Sequence, residues 1–313
     1  MTQEKVVIEE KVMMSENETR PAEAGTGPAA DDYPAVRQPR HPGQWVAVVV
    51  IGLVVVQIAV SMVTNERFRW GIVFEWFHHE RILHGLLNTL VLTVVSMLVG
   101  IVLGAVLAIM RESRNRVVAG LAWAYVWIFR GTPVFVQLLL WGSISALYPT
   151  IALSLPFLPP FLEFSANDVI TPFIAAILGL GLNEAAYMAE IIRGGIRAVD
   201  PGQIEAARAL GMGRASVLGR IVLPQAMRVI IPPTSNELIG MLKTSSMVAV
   251  LAYPDLLYSA QLIYTTNYQV IPLLLTASLW YLIVSSILSI GQYFVERRLS
   301  ASDRRIARGG KTA

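Results

Sequence analysis

The stretch Asp200-Pro201-Gly202-Gln203-Ile204-Glu205-Ala206-Ala207-Arg208-Ala209-Leu210-Gly211 lies between two apolar runs and carries the densest structural instruction in the chain. Asp200 supplies an N-cap oxygen, Pro201 takes the first helical position, and Gln203 stands where a capping box places its partner. A short helix is therefore expected through Glu205 to Leu210. It should stop at Gly211, because the left-handed conformation that closes a helix costs glycine least. A second short helix is expected from Arg214 to Leu223, ending at Pro224. A compact helix–glycine–helix unit suits docking to a soluble partner, although an ordinary amphipathic loop reads the same way.

On either side of this loop the chain is strongly apolar. Its 313 residues are 54% hydrophobic and only 15% charged, against about 25% charged in a soluble domain, and mean hydropathy is +0.55. Thirteen charged residues fall in residues 1–43 and seven in 297–313, which leaves too few to coat a globule in water. An ordinary soluble enzyme is excluded, and the composition is that of an integral membrane protein. Cysteine is absent, so disulfides, thiolate zinc sites and catalytic thiols are excluded too. The net charge of +3 does not point to nucleic acid, since the basic residues cluster in loops between apolar runs.

Six apolar stretches approach the roughly 20 residues that a bilayer core requires, near 44–63, 86–110, 131–148, 169–188, 229–251 and 271–295. Three Arg lie between Arg111 and Arg116, six between Arg193 and Arg228, and six basic residues follow from Arg297. The segments 149–168 and 252–270 hold no Lys or Arg. With six spans, every Arg-rich short loop and both termini fall on one side, which the positive-inside rule makes cytoplasmic. The expected fold is therefore an all-α multi-pass membrane protein. Residues 1–43 read as a disordered acidic tail, 44–84 as an extra first span and outer segment, 85–296 as the core with the loop 193–228, and 297–313 as a basic tail. One run is too long for a single span. Val117 to Tyr148 covers 32 residues, about 48 Å if helical, and contains Arg130-Gly131-Thr132-Pro133. The helix should break there, with Trp123, Tyr125 and Trp127 at headgroup level before the true span.

No catalytic constellation is present. Gly310-Lys311-Thr312 has the end of a P-loop, but the required upstream glycine is Arg305 and no strand precedes it. His78, His79 and His84 lack a zincin spacing, so no metal site is expected. Four charges fall within spans or, for Glu190, just past a span's end, and within a span each costs about 2.5–3.5 kcal/mol: Glu184, Glu190, Glu237 and Lys243. Asn236, Gly240 and Lys243 share a helix face, and Glu237 does not. Glu184, Glu190, Asn236 and Lys243 are thus candidate translocation residues, with structural pairing between helices as the other reading. Thr89, Thr93, Ser96, Gly100 and Gly104 form a stripe that suits close helix packing. Ser278, Ser285 and Ser289 read the same way.

Glu205-Ala206-Ala207, three residues, Gly211, nine residues and Ile221-Val222-Leu223-Pro224 resemble the EAA loop of ABC importer permeases, which have the type I fold. The polar amino acid branch of that family is similar at Arg130-Gly131-Thr132-Pro133 with Gln137-Leu138, and from Ala186 through Ile196. It is similar again at Gly202-Gln203, Leu223-Pro224-Gln225-Ala226, and Pro232-Pro233 with Asn236. The resemblance runs from about Gly85 to Arg298. It implies a permease subunit of an ATP-driven importer for a polar amino acid, working by alternating access in a bacterial cytoplasmic membrane. It further implies a second permease copy or homologue, a cytoplasmic ABC ATPase dimer and an extracytoplasmic solute-binding protein. ATP and Mg would be bound by the ATPase, leaving this chain without a cofactor. Glu205 and Gly211 would inherit the docking role, with Ala206 and Ala207 allowing close approach. Arg208 would add charge pairing, or serve only as a positive-inside residue. Lys243-Thr244-Ser245-Ser246-Met247 departs from the family pattern, which has an acid or amide after the lysine. The rival expectation is an ion-coupled secondary transporter that needs no ATPase.

Overall fold

The computed structural model describes residues 42–153 and 162–309, and expectations for residues 1–41 and 310–313 lie outside them. The chain divides into two compact units, at Met62 and Val63. The first is carried by helix α1 (Pro42–Thr64), apolar on every side, whose Trp45–Thr64 stretch has a mean hydropathy of 2.9.

The second unit begins with a 3-10 turn (Glu66–Phe68) and α2 (Trp70–Phe77), followed by α3 (Glu80–Arg111), α4 (Arg116–Gly131), α5 (Val134–Gly142) and α6 (Ile144–Leu147). A short antiparallel hairpin, β1 (Thr150–Leu153) with β2 (Leu162–Ser165), pairs Thr150 with Ser165. Then come α7 (Ala166–Val169), α8 (Pro172–Arg197), α9 (Pro201–Ala209), α10 (Arg214–Val217), a π turn (Leu218–Val222), α11 (Leu223–Thr244) and a 3-10 segment (Ser245–Leu251). The chain continues with α12 (Leu256–Asn267) and α13 (Val270–Gly309). Five of these stretches are long and apolar enough to cross a membrane: Trp45–Thr64, Glu80–Arg111, Pro172–Arg197, Arg214–Leu251 and Val270–Leu299.

The two prolines act differently: the break expected at Pro133 forms, but the single span placed after it and the helix end placed at Pro224 do not. The span placed at 131–148 is not a single helix. Its longest helix, α5, has nine residues, about 13 Å against the roughly 30 Å of a bilayer core. It meets α4 at a 100° bend, and the two are long and apolar enough for a sixth crossing only when taken together. Pro133 has no N–H, which leaves the carbonyl of Phe129, four residues earlier, without its helical donor. Gln137 Nε2 at 3.0 Å and Asn183 Nδ2 at 2.8 Å donate to that oxygen instead. Irregular backbone survives at membrane depth only when satisfied in this way. Pro224 does the opposite. The helix does not end there, because the preceding π turn changes the bonding register and α11 carries straight on.

The α3–α8 seam is the heart of the bundle. Thr89, Thr93, Ser96, Gly100 and Gly104 are all buried, as the packing reading required. A Cβ on Gly100 would meet Glu184 Cγ at 2.5 Å, and one on Gly104 would meet Met188 Cβ at 2.5 Å. Between membrane helices, which have no hydrophobic drive toward each other, such close approach is the main source of association. The serine stripe of α13 fails the same expectation. Ser278 and Ser289 are exposed, and each bonds a carbonyl of its own helix. The buried face of α13 is Leu273, Thr276 and Ala277, packed with Ile82, Leu256 and Ile263.

Asp255, fully buried, caps α12 by accepting from Leu257 N and Tyr258 N, while the Tyr281 hydroxyl donates to its Oδ2 at 3.3 Å. Thr89 Oγ1 accepts from Leu256 N, tying the same turn to α3. Burial pushes the Asp255 carboxyl up from 3.8 to about 6, overcoming the hydrogen bonds that favour its charged form.

Candidate functional site

The Arg-rich loop forms from its local signals. Asp200 Oδ1 accepts from Gly202 N at 2.8 Å and starts α9. At the other end Gly211 N donates to Arg208 O and Met212 N to Ala207 O, with Gly211 at φ +79°. These two bonds are a Schellman closure, which favours glycine at that position. Gln203 does not complete a capping box. Its Oε1 accepts from Gln225 Nε2 at 2.7 Å, and that nitrogen also donates to Ile221 O. The side chain thereby ties α9 to the start of α11.

Ala207 faces inward onto Val199, Val217, Val222, Ala226 and Ile230. Glu205, Ala206, Arg208 and Gly211 are exposed. Leu210 is 84% exposed and was not singled out in the sequence; an apolar residue just before the capping glycine was the available signal. The result is a small helix on an apolar footing, presenting an acid, a base and a leucine outward.

The second candidate region is a cavity of about 290 Å3 with a mixed lining, walled by Val134, Asn183, Glu184, Tyr187, Glu237 and Gly240, with Leu180 and Met241 among the rest. The 100° bend of α4–α5 supplies Val134, α8 supplies Leu180, Asn183, Glu184 and Tyr187, and α11 supplies Glu237, Gly240 and Met241. Glu184 is buried, and its Oε1 has no hydrogen-bond partner. The Arg130 guanidinium sits 5.1 Å from the centre of the Tyr187 ring. A Cβ on Gly240 would meet nothing within 4 Å, so the glycine keeps that wall open. The site brings two carboxylates into one half-enclosed space, with the Arg130 guanidinium against its Tyr187 wall.

Of the candidate translocation residues, the structure brings Glu184 together with Glu237 and Gly240. Asn236 and Lys243 lie on the other flank of α11 and are exposed, Asn236 accepting from Gln292 Nε2 of α13 at 3.0 Å. Glu190 sits in an ion network, 3.2 Å from Arg111 and 2.7 Å from Arg193. Arg197 and Glu112 pair beside it at 2.8 Å, joining the ends of α3 and α8. Sequence reasoning missed Asn183, Tyr187 and Glu237 as cavity residues. The i, i+1 and i+4 spacing of Asn183, Glu184 and Tyr187 was the signal for the first two, and the charge of Glu237 within a span was the signal for the third.

Residues 100–301 match the family of binding-protein-dependent transport system inner membrane components. The chain is 46% identical over 268 residues to the arginine transport system permease protein ArgU of Corynebacterium glutamicum, covering 85% of this chain and 83% of that protein. It is 37% identical to the arginine transport system permease protein ArtQ of Bacillus subtilis, covering 71% and 94%. A crystal structure of an amino acid ABC transporter with histidines superposes with a TM-score of 0.59 at 34% identity, covering 70% of this chain and 94% of that one. The methionine ABC transporter MetNI shares the fold, with a TM-score of 0.55 at 19% identity over 70% and 95% of the two chains. These likenesses lend no support to an ion-coupled secondary transporter.

Proposed function

The chain belongs to the binding-protein-dependent transport system inner membrane components, the permease subunits of ABC importers, and on that premise we propose that it imports a basic amino acid by alternating access. The relatives named for arginine transport support that substrate class. So do the two carboxylates of the cavity, which match a cationic side chain in charge.

One observation carries the mechanism. The helical stretch Arg214–Leu251 runs unbroken from the Arg-rich loop to the cavity, so the element that follows the docking helix also carries Glu237 and Gly240. A rigid connection lets loop and cavity bias the same two states, which coupling between sites requires. In this reading the loop is cytoplasmic, both termini lie on that side, and the membrane is the bacterial cytoplasmic membrane. Glu205, Arg208 and Leu210 engage a groove on an ABC ATPase dimer, with Ala206 allowing close approach and Gly211 holding the docking helix in shape. ATP and Mg bind on that partner. A solute-binding protein delivers substrate to the opposite end. Asn236 and Lys243 face the seam with a second permease copy or homologue, and Glu190 anchors the loop end of α8.

The test is ATP hydrolysis by the reconstituted complex with its binding protein. Arginine should stimulate it and glutamate should not. Glu205→Lys should cut stimulated hydrolysis on the order of tenfold or more, as loss of a buried interface ion contact does. Glu184→Gln should keep basal hydrolysis and lose arginine stimulation. A chain that copurifies with no ATPase, and that transports normally as Glu205→Lys, would overturn the reading.

A further inference from the structure

We propose that Arg67, Arg69 and the turn at 268–272 form a binding site for the phosphate of an anionic phospholipid headgroup. The inference requires only that the chain spans a bilayer. These residues wall a pocket of about 320 Å3 at the end of α13 remote from the Arg-rich loop, and no acidic side chain lines it.

Charge is the first argument. Both arginines are exposed, and among the described residues neither joins an ion pair. Arg69 Nη1 donates to Gln269 Oε1 at 2.8 Å. That acceptor is neutral, so it orients the guanidinium without cancelling its charge. Two uncompensated guanidiniums on one pocket repel each other, and an anion between them relieves the repulsion. Guanidinium groups also match phosphate oxygens in geometry.

Backbone conformation is the second. Among the described residues, three non-glycine positions have positive φ, and two of them are Arg69 at 47° and Tyr268 at 58°. Each costs about 1–2 kcal/mol. The strain is spent on the two turns that the Arg69–Gln269 bond holds together, and strain of this kind gathers at functional sites.

Depth chooses the ligand. The apolar stretch Val270–Leu299 begins inside the pocket wall, where Val270 and Ile271 are exposed. Tyr268 is 86% exposed, and Phe68 and Trp70, the residues on either side of Arg69, stack on each other at 5.9 Å. Aromatic residues at the start of an apolar span mark the headgroup level. The ligand must therefore present an anion next to hydrocarbon, which a phospholipid does and a free ion or an acidic protein surface does not.

The full chain would be reconstituted in phosphatidylcholine vesicles containing a photoactivatable phosphatidylglycerol, with cross-links mapped by peptide mass spectrometry. Cross-links are expected at Tyr268 and Ile271 and should not form with a photoactivatable phosphatidylcholine. Arg67→Gln with Arg69→Gln should lower their yield about tenfold or more, as loss of two surface cations predicts. Cross-links near Arg297 should be unchanged, which shows the variant folded, and Arg67→Lys with Arg69→Lys should restore most of the yield. Unchanged yield in the glutamine variant would overturn the proposal. So would competition by millimolar inorganic phosphate, which would make this a free-anion site. Unchanged lipid labelling with lost binding-protein stimulation would assign the surface to a protein partner instead.

Discussion

Asp200 and Asp255 do the same local job at opposite ends of the bundle, and their surroundings make them different residues. Each accepts from backbone N–H groups at the start of a short helix. Asp200 is exposed and holds α9 on the loop, where a partner can reach it. Asp255 is fully buried, bonded to Tyr281 and one turn from Thr89, so α12 is locked to α3 and α13. A capping rule specifies the bond. Burial decides whether that bond serves a movable docking helix or a fixed part of the core.

Four measurements can break or sharpen this contrast. The largest effect is pH dependence. Because the folded Asp255 carboxyl titrates at about 6 rather than 3.8, its contribution to stability is complete below about pH 4. It should be lost as pH rises through about 6, by up to about 3 kcal/mol. Thermal unfolding of the solubilised chain should show this slope, and Asp255→Asn should flatten it. A wild-type profile that is flat between pH 4 and 7 would put Asp255 on a par with Asp200.

Next, Asp255→Ala should cost about 2 kcal/mol at acidic pH, since it orphans buried N–H groups and the Tyr281 hydroxyl. Denaturant midpoints measure it. Asp200→Ala should cost about 1 kcal/mol, felt by α9 alone. Hydrogen exchange should quicken in α9 while the global unfolding midpoint stays put. If the midpoint falls as far as for Asp255→Ala, the loop belongs to the core after all. Smallest is Gly211→Asn, a few tenths of a kcal/mol, because asparagine tolerates the left-handed region. If that variant keeps normal exchange in α9 but loses stimulated ATP hydrolysis, the glycine acts through the docked surface and not through the helix cap.

Much of the architecture was legible from the sequence. Apolar runs marked the long helices, because a bilayer core demands about twenty apolar residues of any helix that crosses it. The stripe from Thr89 to Gly104 announced the close packing of α3, on α8 at Gly100 and Gly104 and on the start of α12 at Thr89, since small residues are what let backbones approach. The Ser278 stripe looked alike, yet Ser278 and Ser289 are exposed and each bonds a carbonyl of its own helix. A stripe reports compatibility with packing, and only the position of the neighbouring helix decides whether packing occurs. The two prolines teach the same lesson. Pro133 and Pro224 each remove one donor, yet one ends in a 100° bend braced by Gln137 and Asn183, and the other in a π turn within a continuous helix.

The candidate sites divide in the same way. The sequence by itself determined the docking helix, from Asp200 to Gly211, because caps and a left-handed glycine act through bonds only a few residues long. It also determined which charges stand within spans. Which of those charges meet was decided by the tertiary structure. Helical spacing on α11 grouped Asn236 with Lys243, whereas the packing of α8 against α11 put Glu184 beside Glu237 and turned Asn236 toward Gln292. The raised pKa of Asp255 and the pocket joining Arg67 and Arg69 to residues 200 positions later were likewise beyond sequence reading. Those properties depend on which distant surfaces exclude water or face each other, and local periodicity carries no record of that.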